Sequence, residues 1–251
     1  MGQRVDALVK AGQKDAFFSV HIVGTASGRV FLFFIYLRDT DKEPLWMLAL
    51  SFLIGVLITL PIASIEFGLT HLLIKLGIGG RLKNFLNAFA IAGIVEEGVK
   101  YIAVNLFLRR NRFFDQCYDG IVYAAFISLG FASVENLLYI WRLGFETAIV
   151  RAFMSIPAHM LFAVFMGYYF ALGFRSDHSK RKKHLLLAFI IPVLLHGLYD
   201  FFLFDIQKSP VIYFVLITFL CLSLWRYGLK RIRTLIAFDN ERMNDGENRE
   251  G

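Results

Sequence analysis

The sequence predicts an all-α, polytopic transmembrane helix bundle, and three observations carry that prediction. The chain of 251 residues is 57% hydrophobic and 19% charged, against the roughly 25% charged residues of an ordinary soluble domain. Mean hydropathy is +0.57 and 27 residues are Phe. Apolar runs close to the ~20 residues that a spanning helix needs recur along most of the chain, with short polar gaps between them.

The elements follow in order. Residues 1–16 are polar and mixed in charge, and read as a tail ahead of the first apolar run without the pattern of a cleavable signal. Seven membrane segments are expected, at 17–37, 45–69, 85–108, 120–141, 152–174, 185–204 and 211–227. The first is the weakest, since it contains His21, Gly24, Gly28 and Arg29; placing it at the periphery gives a six-segment alternative. Residues 17–228 thus form one membrane-embedded domain, followed by a basic, then acidic, flexible tail at 229–251. Cys117 and Cys221 lie in different segments and offer neither a metal-ligand spacing nor a disulfide framework.

The net charge of +7 excludes little by itself, but its distribution is informative. The basic residues cluster in the gaps between apolar runs, which is the pattern of membrane loops and argues against a nucleic-acid partner. With the N-terminus outside, the inner loops and the start of the tail hold 14 basic residues, among them Arg38, Arg109, Arg110, Arg112, Arg175 and Lys180 to Lys183. The outer connections hold six, Lys75, Arg81, Lys83, Arg142, Arg151 and Lys208, or nine with the N-terminal tail. The excess predicts an N-out, C-in protein of the cell membrane.

Charged side chains at membrane depth mark functional sites by default, because a carboxylate at the centre of a spanning helix costs roughly 2.5–3.5 kcal/mol on insertion scales. Glu96 and Glu97 are neighbours in the middle of the third segment, with Lys100 one turn on. At ~1.5 Å per residue, Glu96 lies roughly 16 Å from the outer end of its helix and Glu135 roughly 9 Å from the outer end of the fourth. His159 is about as deep in the fifth segment, and His196 about 12 Å down in the sixth. Four helices therefore bring acid and imidazole groups to one layer in the outer half of the membrane.

Each group has a plainer reading. Glu96 and Lys100 share a helix face and could merely neutralise each other, but that leaves Glu97 over. Gly120, Ala124, Ser128 and Ala132 form a small-residue stripe that reads as a packing surface; Glu135, in FASVEN at 131–136, has no use in such a stripe. Asn136 is as well explained by an oxyanion contact as by a helix hydrogen bond. His159 alone would be an interfacial histidine, and gains meaning from its depth match with Glu135. His196 and Asp200 are one turn apart on one face, so Asp200 can orient the imidazole or support a metal ligand. Pro192, one turn before His196, is expected to kink that helix. His21, His71, His178 and His184 fall in loops or at interfaces and read as incidental.

Together these residues resemble the PrsW family of intramembrane proteases, related to the CAAX prenyl protease and bacteriocin-processing superfamily. The likeness rests on FIYLRDTDKEP (34–44), EEGVKY (96–101), FDQCYDGIVYAAFISLGFASVENLLY (114–139), RAFMSIPAHMLFAVFMGYY (151–169) and LLHGLYDF (194–201), in the family's order and spacing. It implies a bacterial enzyme that cleaves a membrane-anchored, single-pass regulator, such as an anti-sigma factor, as the first step of regulated proteolysis. It carries essential roles onto Glu96, Glu97 and His196 and further roles onto Glu135 and His159. Asp200 stands where the superfamily often has Asn, which favours a histidine-orienting or metal-supporting role there.

Two chemistries fit. In a glutamate-based peptidase, Glu96 or Glu97 activates a water held with the histidines, with Asn136 or a histidine facing the oxyanion. In a metallopeptidase, Glu135, His159 and His196 hold Zn²⁺ with one open position. The glutamate reading is preferred. A proton or cation transporter would use the same groups as a relay, but no inverted repeat supports one. Neither substrate identity nor oligomeric state is legible in the sequence.

Overall fold

A computed structural model of the chain describes residues 28–250, and among them every regular element is helical. Residues 1–27, and with them the polar tail, His21, Gly24 and most of the first expected segment, lie outside the described residues. What remains of that segment is a short apolar helix, α1 (Gly28–Leu37).

Among the described residues, five helices are long and apolar enough to cross a membrane: Leu45–Lys75, Asp119–Leu143, Ile149–Arg175, His178–Lys208 and Pro210–Asp245. They match the expected second, fourth, fifth, sixth and seventh segments. The first is α2 (Leu45–Lys75), which starts directly after Pro44, where the residue before proline is biased away from helix. It ends in a tight turn around Gly77, whose φ of 67° is the left-handed value that favours glycine. The third expected segment is a continuous rod of three parts: α3 (Gly80–Phe85), a π-helical stretch (Leu86–Glu96) and α4 (Glu97–Arg110).

α5 (Asp119–Leu143) turns at Gly144, again left-handed with φ 86°, into the short α6 (Phe145–Phe153) and then α7 (Ser155–Arg175). α8 (His178–Asp205) runs on through Pro192 without a break. After a 3₁₀ turn at Ile206–Lys208, α9 (Pro210–Glu250) follows. The stretch read as a solvated tail therefore continues as helix, and the reason is a docking contact. Asp239 is buried and accepts the Cys117 and Tyr118 backbone N–H groups at 2.9 and 2.8 Å. Those donors precede α5 and have no intrahelical partner of their own.

α5 and α7 form the middle of the bundle. α2 packs on the other side of α5, α8 covers α7 and the π stretch, and α9 lies against α7 and α8. Lipid offers no hydrophobic drive between helices, so close approach through small residues holds them together. At the α5–α7 crossing, a Cβ on Gly167 would lie 2.3 Å from the Gly120 carbonyl oxygen. At the α2–α5 crossing, a Cβ on Gly55 would lie 2.0 Å from the Ile127 oxygen and one on Gly130 2.2 Å from the Phe52 oxygen. The small-residue stripe of α5 is thus a packing surface, as its spacing predicts: Gly120, Ala124, Ser128 and Ala132 are all buried.

The two ends of the bundle are closed differently. At the Asp119 end, Asp39, Glu43 and Asp119 are buried together. Tyr123 donates its hydroxyl to Glu43, and Asp119 accepts the Asp115 and Gln116 N–H groups at 3.1 and 2.7 Å. At the opposite end, Asp205 ties three helices: Asn84 reaches it at 2.6 Å, Lys208 at 2.8 Å, and Arg81 and Tyr213 at 3.2 Å.

Candidate active site

The glutamate pair sits at the π-to-α junction: Glu96 is the last residue of the π stretch and Glu97 the first of α4. π-helical turns are rare and concentrate at functional sites. Here the stretch is held against α8 at glycine distance. A Cβ on Gly93 would be 3.0 Å from the Val193 carbonyl oxygen, and one on Gly197 would be 2.3 Å from the Phe89 ring. With no side chain at either position, the neighbouring His196 comes within reach of both glutamates.

Lys100 is the centre of the cluster. Its Nζ donates to Glu96 Oε2 at 3.0 Å and to Glu97 Oε1 at 2.9 Å, and lies 3.3 Å from His159 Nδ1. The ammonium also stands 4.0 Å from the centroid of the Phe131 ring. Glu96, Glu97, Lys100, His159 and His196 are each no more than 3% exposed. Two carboxylates so placed need compensating charge, and Lys100 supplies it. The reading of Lys100 as a partner of Glu96 alone is therefore too narrow, because it bonds both.

The histidines are held in defined orientations. Lys100 can only donate, so His159 Nδ1 accepts and the ring proton sits on Nε2. That Nε2 lies 3.0 Å from Glu135 Oε2. The same Glu135 oxygen is 2.7 Å from Arg151, whose guanidinium stacks 3.7 Å from the Tyr139 ring centroid. α5 reaches His159 a second way, as Ser128 donates to the His159 carbonyl oxygen at 3.0 Å. His196 Nδ1 lies 2.9 Å from Glu97 Oε1 and 4.0 Å from Glu96 Oε2, while its Nε2 faces Asp200 Oδ2 at 3.6 Å. The two imidazoles meet edge-on at 5.1 Å, and His196 stacks on Phe162.

A cavity of about 450 Å³ opens beside this cluster, bounded by α2, the π stretch, α5 and α8. Glu96, Glu135 and Asp200 line it; Glu97 and the histidines stand behind them. Asn136 is buried, lies outside the lining, and has no hydrogen-bond partner on either amide atom among the described residues. His71, His178 and His184 all lie away from the cluster; His71 stacks on Phe67 and His184 bonds Ser176.

Thus Glu96, Glu97, Lys100, Glu135, His159, His196 and Asp200 come together as their depths predict. Two residues escape the sequence reading. Arg151 is counted there only as a loop charge, although it opens the motif that ends in His159. Glu66 is passed over within the second segment, although it is the lone ionisable residue of 45–69. It lines the cavity too.

The donor set suits a metal, though not with the ligands first expected. Among the described residues, Glu96, Glu97, His159 and His196 each offer a ligand atom, all within 4.8 Å of one another. Glu135 stands outside this set and instead orients His159. Two carboxylates and two imidazoles are ordinary zinc donors, and Glu97 Oε2 is buried without a partner among the described residues. The Lys100 ammonium already bonds three of the four residues, so it occupies the place of a cation.

Residues 43–225 match the model of a family described as PrsW family intramembrane metalloprotease. Among curated proteins, the chain is similar to a Protease PrsW of Oceanobacillus iheyensis, with 37% identity over 216 residues that cover 86% of this chain and 95% of the relative. The Bacillus subtilis Protease PrsW is 38% identical over 217 residues, again 86% and 95% of the two chains. That of Clostridioides difficile is 36% identical over 206 residues, or 78% and 84%. No solved structure matches.

Proposed function

The chain belongs to the PrsW family of intramembrane proteases, and on that premise we propose that it is a glutamate-type peptidase in which Glu96 is the general base. The observation that carries this reading is the division within the pair: Glu96 lines the cavity, whereas Glu97 is sealed behind it between Lys100 and His196. A base must reach the proton it abstracts, and only Glu96 of the two meets that condition.

In the proposed reaction a cavity water gives its proton to Glu96 as its oxygen bonds the scissile carbonyl carbon. The carbonyl oxygen becomes an oxyanion, while His196, behind the cavity wall between Glu97 and Asp200, holds those two carboxylates in place. Collapse breaks the C–N bond, and Glu96 passes its proton to the leaving amine. Lys100 holds the net charge of the pair in check, and the Arg151–Glu135–His159 chain fixes the second imidazole. Asn136 takes no part, since it lies outside the cavity.

The substrate in this reading is a single-pass membrane protein of the anti-sigma-factor type, cut near the outer face of a bacterial membrane with the enzyme N-out and C-in. The excess of basic residues in the loops at the Asp119 end supports that orientation.

The four-donor cluster supports a second reading, a zinc peptidase held by Glu96, Glu97, His159 and His196. When bound there, zinc would lower the pKa of its water. In that case Lys100 would give up its bonds to the glutamates. The separating experiment measures cleavage of a co-reconstituted single-pass protein after exhaustive chelation, with metal content determined in parallel. Retained cleavage by the metal-free protein, abolished in Glu96→Gln, is the expected result. Loss on chelation with recovery on adding Zn²⁺ assigns the metal reading instead.

A further inference from the structure

The cavity is a wedge, and its shape follows from where α2 and α5 touch. The two helices meet backbone to backbone at Gly55 and Gly130. Toward the Asp205 end they part, and the space between them is the cavity. On its α2 side it is lined by Thr59, Ile62, Ala63, Glu66, Phe67 and Thr70, which recur at the three- and four-residue spacing of a single helix face. Pro61 lies just past the contact, at the start of this diverging half.

Glu66 is the anomaly on that face. It lies nine residues before the end of α2, so roughly 13 Å from the helix terminus at ~1.5 Å per residue. A carboxyl at such depth is expected to have a partner, yet no hydrogen bond or ion pair reaches Glu66 among the described residues. The other acids of the cavity are served: Glu96 by Lys100, Glu135 by Arg151, and Asp200 faces His196. The basic residue in the lining, Arg142, is exposed at the end of α5. The wedge therefore carries an unpartnered carboxyl group at Glu66, in direct continuity with Glu96.

We propose that the wedge between α2 and α5 is the groove that receives the substrate segment, and that Glu66 is a specificity-determining residue that binds a basic side chain of that segment near the scissile bond. The occupant is an unwound stretch of a membrane-anchored polypeptide with a Lys or Arg close to the cleaved peptide. Thr59, Thr70 and Asn87 line the same space and offer hydroxyl and amide groups to its backbone. The proposal rests on the peptidase reading above.

The test uses the purified full-length protein in micelles with a mixture of synthetic peptides. Each has an apolar spanning segment followed by a randomised twelve-residue stretch, and cleavage positions are read by mass spectrometry. Wild type should favour Lys or Arg at one fixed offset from the cut. Glu66→Gln should lower the basic-over-neutral ratio of kcat/KM at that offset at least tenfold, mainly through KM, and Glu66→Lys should shift the preference to Asp or Glu. Glu66→Asp, which keeps the carboxyl group, should retain the preference, and this separates recognition from a folding defect. An unchanged profile in both Glu66→Gln and Glu66→Lys, or an equal loss of preference in Glu66→Asp, overturns the proposal. The peptidase reading is judged separately: cleavage that persists in Glu96→Gln overturns that reading, whatever the Glu66 variants do.

Discussion

His196 Nδ1 lies 2.9 Å from Glu97 Oε1 but 4.0 Å from Glu96 Oε2, so one glutamate of the pair holds the histidine and leaves its neighbour to the cavity. Adjacent residues on one helix point about 100° apart, and this fold uses both directions. One carboxylate builds the site, and the other faces what enters it.

The first prediction concerns the cation that both glutamates share. Lys100→Met leaves two buried carboxylates without their ammonium, and breaking a buried pair in this way costs about 3–5 kcal/mol. Thermal unfolding of the purified protein in micelles should show a marked loss of stability. The double variant Lys100→Met/Glu97→Gln should recover part of it. A single variant that melts like wild type would show that Lys100 is not the compensating charge.

Arg151 acts at one remove. It braces Glu135, which orients His159. Arg151→Ala should slow cleavage by on the order of 10²-fold, the size expected when a catalytic group shifts by about 1 Å. Glu135→Gln should cost a similar amount, and the double variant little more, because both changes break one chain. Losses that simply multiply would contradict the chain.

The α2–α5 crossing tolerates no side chain at its centre. A Cβ on Gly130 would sit 2.2 Å from the Phe52 carbonyl oxygen, so Gly130→Ala must push the two backbones apart. Overpacking of this kind costs about 1–3 kcal/mol, and here it should also widen the wedge. The readouts are melting temperature and a cysteine cross-link placed between the diverging halves of α2 and α5. Wild-type values for both would show that the helices do not meet there.

The Asp119 end should respond to pH. Burial pushes Glu43 up to about 7 and Asp39 up to about 6, against ordinary carboxyl values near 4. The bond from Tyr123 and the charge of Lys42 pull the other way but do not prevail. The folded protein therefore holds these protons more tightly than the unfolded chain. Their contribution is complete below about pH 4 and is lost as pH rises through 6 to 7. Melting temperature should fall between pH 5 and pH 8, and Glu43→Gln should flatten that slope. An identical slope in the variant would remove Glu43 from the account.

Much of the site was legible because depth is nearly one-dimensional. Residue counts from the helix ends alone place Glu96, Glu135, His159 and His196 in one layer. Partners across helices were not legible, since facing requires rotation and crossing points as well as depth. Hence Glu135 looked like a metal ligand, while the structure turns it to His159 and Arg151. Arg151 is hidden for a related reason: residues 142–151 count as a connection in a hydropathy profile, whereas α6 brings Arg151 back over the site. Glu66 was lost in a run whose mean hydropathy conceals one acid. The C-terminal stretch looked solvated because composition cannot register Asp239 meeting the start of α5, more than a hundred residues earlier in the chain.

The π stretch has a consequence for which sequence changes this protein can absorb. A residue deleted from 86–95 would leave the rod apolar and still long enough for the bilayer. The wide turns could relax to ordinary α-helix with little change in composition. The glutamates, however, would swing by about 100° and face a different neighbour. The stretch thus works as a phase setting between a lipid-facing rod and a polar junction, and the spacing from Phe85 to Glu97 should admit substitutions far more readily than a change in length.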